Sequence, residues 1–151
     1  MQKKFIMLVG LPYSGKSYLI KTLAFQGVVI SSDRIIMEEA EKQGKSYNDI
    51  FKSFVDEAQK IAVKQTIESF QQGKDVCIDQ TNLTKASRQR KLKLVPEGYE
   101  KVAIVVETPS KEELDKRISE RQTHRIPPKV LENMQNIYQK VTLDEGFDVI
   151  Y

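Results

Sequence analysis

Tryptophan is absent from this 151-residue chain, and cysteine and histidine occur once each. A lone cysteine, Cys77, excludes an internal disulfide and any cysteine-based metal cluster. Its place in the apolar run 76–78 marks it as a small buried residue. Long hydrophobic runs are missing too. The stretch from Phe5 to Leu11 is far short of a spanning helix and lacks the pattern of a secretory leader. No segment is of low complexity, and none repeats. These absences lead us to expect an intracellular, cytoplasmic protein with no membrane partner.

What is present suits one globular unit. The length fits a single domain, residues 1–151, able to bury a hydrophobic core. A hydrophobic fraction of 40% and a charged fraction of 30% are ordinary for such a chain. The net charge of +3 permits an anionic partner without demanding one. Two basic runs concentrate it: Lys85, Arg88, Arg90, Lys91 and Lys93, then Lys116, Arg117, Arg121, His124 and Arg125. A solvated helix face is the plain reading of either.

Short apolar runs alternate with helical periods. Phe5–Val9, Val28–Ile30, Val76–Ile78, Val102–Val106 and Val149–Tyr151 read as strands. Helices are expected over 18–24, 34–42, 46–72, 84–94 and 110–122. Pro128 starts a last helix whose apolar face is Val130, Met134, Ile137, Tyr138 and Val141. The clearest period runs through Ile50, Phe51, Phe54, Val55, Ala58, Ile61 and Ala62, with Ser46 placed to cap its start and Gly73 to end it. This alternation predicts an α/β fold with a mainly parallel sheet. Ligands of such sheets bind beyond the carboxyl ends of the strands, so Gly10, Ser32, Asp33 and Asp79 should converge on one cleft.

One motif carries chemistry directly. Gly10-Leu11-Pro12-Tyr13-Ser14-Gly15-Lys16-Ser17 fits the P-loop pattern G-x-x-x-x-G-K-[ST], with a strand before it and a helix after. Glycines let the backbone curl around phosphates, and loop N–H groups at a helix N-terminus favour an anion. Lys16 would neutralise the β- and γ-phosphates of ATP, and Ser17 would offer its hydroxyl to Mg²⁺. Gly10, Tyr13, Ser14, Gly15, Lys16, Ser17 and Tyr18 are therefore the expected nucleotide contacts.

Acidic residues follow the strand ends. Asp33 could accept a proton from an attacking hydroxyl, or Ser32 or Asp33 could simply cap the next helix. Asp79 could hold Mg²⁺ or orient a cation, with Thr81 and Asn82 in the loop beside it; a polar turn is the alternative. Glu107 is read as structural. Arg117, Arg121 and Arg125 recur every four residues and share a face if their helix continues that far, though Glu112, Glu113, Asp115 and Glu120 could pair with them. Such guanidiniums can stabilise charge on a transferring phosphoryl group.

Taken in order, these elements resemble the kinase domain of bacteriophage 5′-polynucleotide kinases, within the small P-loop kinases. The resemblance rests on 10–17, on Ser31-Ser32-Asp33-Arg34, on Asp79-Gln80-Thr81-Asn82-Leu83-Thr84, and on Lys116-Arg117, Arg121 and Ile126-Pro127-Pro128-Lys129-Val130-Leu131. It implies a three-layer fold with a five-stranded parallel sheet, and a helical lid over about 110–128. It implies Asp33 as general base for a 5′-hydroxyl of DNA or RNA, Lys16 and Ser17 at the donor, and Arg121 with Arg117 on the donor phosphates. Asp79 belongs to the same site.

The resemblance fails at one position. The family pattern has an acceptor-phosphate arginine three residues after the base, where this chain has Ile36. Arg34 is the substitute at hand. With no phosphatase or ligase unit beside the motifs in these 151 residues, an end-processing enzyme of this kind is expected only to add phosphate. On the acceptor side Tyr47 and Phe51 could stack a base, with core packing as the alternative because Phe51 and Phe54 lie on the apolar stripe. The run from Lys85 to Lys93 could track a nucleic acid backbone. A kinase of a small or nucleotide-like alcohol is the second function reading, and a nucleotide-dependent switch the third. The absence of an Asn-Lys-x-Asp element argues against a guanine-specific switch. Oligomeric state is not encoded in any of these features.

Overall fold

The computed structural model describes residues 2–121 and 125–151. Its sheet has five parallel strands in the order β2-β3-β1-β4-β5, with β1 Lys3–Val9, β2 Val28–Ile30, β3 Val76–Ile78, β4 Tyr99–Val105 and β5 Val149–Ile150. Helices α1 Lys16–Thr22, α2 Ser32–Gln43, α3 Tyr47–Gln71, α4 Lys85–Leu92, α5 Lys111–Glu120 and α6 Pro128–Ile137 connect them, with a 3₁₀ turn at Leu143–Glu145 before β5. The expected α/β fold with a five-stranded parallel sheet is the one observed. No helix among the described residues is long and apolar enough to cross a membrane.

β1 explains the layering. It is paired on both edges, with Met7 opposite Ile78 of β3 and Ala103 of β4. Side chains alternate along a strand, so a doubly buried strand must be apolar throughout. Phe5, Met7 and Val9 point into the larger core, formed with α2, α3 and Leu92 of α4. Ile6 and Leu8 point the other way, onto Ile20 of α1 with Cys77 and Val102. Cys77 is fully buried, and burial raises its thiol to about 12, which leaves it an inert packing residue.

Local signals set the helix ends. Ser46 accepts from the Asp49 N–H, and Asp49 accepts from the Ser46 N–H, forming a capping box at the start of α3. Gly73, at φ 70°, lies just past its end. Pro128 is the first residue of α6. β1 begins earlier than the apolar run suggested, and α1 already includes Lys16 and Ser17. The arginine row needs correction. α5 ends at Glu120 and Arg121 is extended, so Arg117, Arg121 and Arg125 do not share a helix face. Arg125 folds back and donates to the carbonyls of Arg121 at 2.5 Å and Ser119 at 3.0 Å. His124, placed by sequence in the presumed lid, lies outside the described residues.

The first basic run also needs correction as a nucleic acid track. Arg88 is 0% exposed. Its Nε donates to Glu145 Oε1 at 2.7 Å, and its guanidinium also donates to the carbonyls of Asn82 at 2.8 Å and Gln139 at 2.9 Å. Lys91 donates to Asn82 Oδ1. Of the run, Lys85, Arg90 and Lys93 remain exposed.

A buried charge left without its partner is costly. Arg88→Ala should therefore lower unfolding free energy by roughly 3–5 kcal/mol in urea titrations. A loss below about 1 kcal/mol would show that the pair is dispensable.

Candidate functional site

Three backbone bonds continue the sheet one step beyond its strands. Asp79 N–H donates to Ile30 O at 2.8 Å, Gly10 N–H to Thr81 O at 3.0 Å, and Val106 N–H to Val9 O at 2.7 Å. They fix the starts of three loops against one another. The P-loop leaves this edge under tight sterics. A Cβ on Gly10 would sit 2.7 Å from Val106 O, and Gly15 holds φ 96° at the entry to α1. Tyr13 also has a positive φ, 67°, a strained value for a residue with a side chain.

Lys16 and Ser17 open α1 inside this loop. Lys16 Nζ donates to Gly10 O at 3.0 Å and Leu11 O at 2.9 Å. Burial lowers its pKa to about 8, against the pull of Asp79 and Asp33, while Arg121 pushes the same way as burial. That balance shows that the four charges share one field. Ser17 Oγ donates to Asp79 Oδ2 at 2.7 Å, and Asp79 is buried.

Asp33 lies in the first turn of α2 with an exposed side chain. Neither Ser32 nor Asp33 caps that helix, contrary to the alternative weighed from sequence. Ser31 does, its Oγ accepting from Arg34 N–H at 3.2 Å. The Asp33 carboxylate is thus released from capping and accepts instead from the Tyr47 hydroxyl at 2.6 Å. Arg34 lines a notch of about 160 Å³ together with Ser17, Lys21 and Asp79. Ile36 packs into the main core, so α2 turns that position away from the cleft.

The arginines approach from α5 and from the extended residue that follows it. Arg117 donates to Tyr13 O at 2.7 Å and to Glu113 at 3.1 Å, and its Nη1 lies 3.7 Å from where a Gly15 Cβ would be. Arg121 sits over the Tyr13 ring at 4.3 Å, a cation–π contact. Tyr13 is buried among Leu114, Ile118, Ile126 and Leu131, and its hydroxyl accepts from Ile126 N–H at 3.0 Å. Sequence reasoning placed Tyr13 at the nucleotide. It missed that this ring joins the P-loop to Leu114, Ile118, Ile126 and Leu131; an aromatic inside a glycine-rich loop was the available signal.

The remaining candidates divide. Tyr18 is largely exposed beside the loop. Phe51 is 39% exposed, with its ring centroid 5.6 Å from that of Tyr47, so core packing does not describe it. Phe54 does pack against the core. Thr81 contributes its carbonyl to Gly10. Asn82, expected at the acceptor, is instead buried: its Nδ2 donates to Leu8 O at 2.7 Å and its Oδ1 accepts from Lys91. Its side chain is committed to holding β1. Glu107 is exposed.

The site fits a triphosphate and a hard cation. Ser14 Oγ is the single buried side-chain polar atom without a hydrogen-bond partner among the described residues, and it sits in the loop that would cradle phosphate. Ser17 Oγ and Asp79 Oδ2 are adjacent oxygen donors of the kind Mg²⁺ takes alongside phosphate and water. No cluster of three or more His, Cys, Asp or Glu side chains that could hold a metal occurs among the described residues.

Comparison with known proteins agrees with this geometry. The profile of the AAA_33 family, an AAA domain, matches residues 5–141. A search of curated proteins found no match. Among solved structures, a candidate kinase from Chloroflexus aurantiacus J-10-fl superposes with a TM-score of 0.74 at 19% identity, over 99% of this chain and 84% of that one. A chain of the Pnkp1/Rnl/Hen1 RNA repair complex gives 0.67 at 23% identity, over 90% of this chain but only 44% of that one. A sugar kinase from Janibacter sp. HTCC2649 gives 0.62 at 17%, over 97% and 84%. At these identities the likeness is one of fold, that of the P-loop kinases.

Lys16 sets a pH dependence. Below about 8 the folded chain carries its charge, and above it the amine is neutral, although an unshifted lysine stays charged to about 10.5. Affinity for a triphosphate should hold to pH 8 and then weaken by up to about tenfold per pH unit. A dissociation constant that stays flat from pH 7 to 10 would refute the role of Lys16.

Proposed function

The chain belongs to the AAA_33 family of AAA domains, and from that premise we propose that it is an ATP-dependent kinase of the 5′-hydroxyl ends of DNA or RNA. The observation that carries this reading is the freed Asp33 carboxylate, set beside Tyr47 and in the same field as Lys16, Asp79 and Arg121. A donor-side cradle with a carboxylate facing it is what transfer to an alcohol requires.

In this reading the P-loop amides, Ser14 and Lys16 hold the donor phosphates, and Ser17 with Asp79 holds Mg²⁺. When bound, that ion would neutralise charge on the phosphate oxygens. The acceptor hydroxyl gives its proton to Asp33 as its oxygen attacks the γ-phosphorus. The bond to the β-phosphate bridging oxygen breaks, and ADP leaves with the electron pair. Arg121 leaves the Tyr13 ring for the transferring group, and Arg117 stays at the loop beside Gly15. Residues 110–128 act as the lid that carries both, and residues 1–151 as one kinase domain.

The acceptor side supports a nucleic acid. The Tyr47–Phe51 pair lies next to Asp33 and offers a partly exposed aromatic face on which a terminal base can stack. A small-molecule alcohol is the second reading, favoured by one observation. Position 36 is apolar and buried, so the acceptor-phosphate cation of the resembling family is missing there. Arg34, at the notch beside Ser17 and Asp79, is the cation we assign in its place.

The test is transfer of labelled γ-phosphate from ATP to a short single-stranded oligonucleotide with a 5′-hydroxyl, beside the same strand already 5′-phosphorylated. Label should enter only the hydroxyl strand. Asp33→Asn should still bind ATP and lose on the order of 10²–10⁴ in rate. Label in neither strand, with ATP bound, would transfer the weight to a small alcohol.

A second variant separates the arginine's roles. Arg121→Ala should lower kcat far more than ATP affinity, because the cation is most needed as charge develops. A change confined to the apparent KM for ATP would mark Arg121 as a ground-state contact only.

A further inference from the structure

The carboxylate that takes the acceptor proton has only one productive orientation. One oxygen must face the incoming hydroxyl with its lone pair aligned. Asp33 is poorly placed to hold that orientation alone. It stands in the first turn of α2, exposed, with the capping work done by Ser31. An exposed aspartate samples several rotamers, and each unproductive one lowers the fraction of competent enzyme.

Tyr47 supplies what Asp33 lacks. It is the first residue of α3, and the Ser46–Asp49 capping box fixes the backbone there. Its ring packs against the main core and against Phe51. A tyrosine has only two side-chain torsions, so anchoring the ring also anchors the hydroxyl. That hydroxyl reaches back from α3 to α2 and donates to Asp33 Oδ1 at 2.6 Å, the length of a charge-assisted O–H···O bond.

From this juxtaposition we infer that Tyr47 is the positioning residue for Asp33: it fixes Oδ1 so that Oδ2 faces the acceptor hydroxyl. The inference rests on Asp33 being the general base. It is compatible with both protonation states of the carboxyl group. The acceptor proton arrives on Oδ2, and Oδ1 becomes the carbonyl oxygen of a neutral acid, which still accepts from Tyr47. Tyr47 itself keeps its proton throughout. Burial, then the hydrogen bond and charge of Asp33, hold its phenol well above the ordinary range. It is a donor at every working pH and does not compete as a base.

Tyr47→Phe removes the hydroxyl and keeps the ring, its packing on the core and its contact with Phe51. A double-mutant cycle with Asp33→Asn, read by steady-state kinetics on a 5′-hydroxyl oligonucleotide, isolates the coupling. Tyr47→Phe should lower kcat roughly 10–100-fold, the size of a lost hydrogen bond to a charged group. The KM values for ATP and oligonucleotide should stay within about twofold. In the Asp33→Asn background the same change should cost less than about threefold. A wild-type kcat for Tyr47→Phe overturns the inference and leaves Asp33 as base intact. Equal losses in both backgrounds also overturn it, since a scaffold defect would act regardless of the carboxylate. A wild-type rate for Asp33→Asn would overturn the base assignment itself, and the inference with it.

Discussion

Asn82 sits where the sheet, the P-loop and the buried ion pair meet, and its two-sided amide ties them. The Nδ2 group holds the carbonyl of Leu8, two residues before the P-loop begins. The Oδ1 atom takes Lys91, and the backbone carbonyl takes Arg88, which is itself held by Glu145 and by the chain at Gln139. The adjoining Thr81 carbonyl receives the Gly10 N–H. Asn82 holds φ 50°, a conformation asparagine tolerates better than most residues. A loop that must accept from Gly10 N–H through a backbone carbonyl and donate to Leu8 O through a side chain, in consecutive residues, has few solutions. This joint fixes the root of the phosphate cradle relative to Asp79, three residues upstream.

With that root fixed, the electrostatics of the cleft follow. Lys16 is buried enough to lose part of its affinity for a proton, yet two carboxylates and one guanidinium act on it at once. Such a cluster is tolerable only if each charge has a second anchor. Lys16 has two loop carbonyls, Asp79 has Ser17, Asp33 has Tyr47 and Arg121 has the Tyr13 ring. Charges anchored in this way are held around the cleft by the fold itself.

The sequence was most legible where periodicity and backbone sterics decide the outcome. The bounds of β2 and β3, the capping serine at 46 and the proline that starts α6 can be read from local residue types. So can the convergence of Gly10, Asp33 and Asp79, because strand ends in a parallel sheet share one edge. Legibility failed where a side chain's partner is distant in the chain. Arg88 looked like part of a basic face because two of its partners, at 139 and 145, are more than fifty residues away. Asn82 looked like an acceptor contact because only the folded chain shows Leu8 and Lys91 closing on its amide. The arginine row failed for a different reason: a spacing of four has meaning only while the helix lasts, and no strong stop signal marks Glu120.

The P-loop tyrosine shows how these levels join. Tyr13 bears positive φ strain at a loop position where such strain is tolerated only if surroundings over-determine it. Those surroundings come from α5, α6 and residues between them: Leu114 and Leu131 bury the ring, Ile126 N–H donates to its hydroxyl, Arg117 donates to its carbonyl, and Arg121 covers its face. The strained conformation of the cradle and the placement of the arginines are therefore one structural fact. In the proposed reaction, movement of Arg121 from the ring toward a phosphate would exchange a cation–π contact for an ion pair, with no change required in the buried leucines beneath. In that proposed step Leu114, Ile118 and Leu131 stay packed on the ring while the guanidinium changes partner.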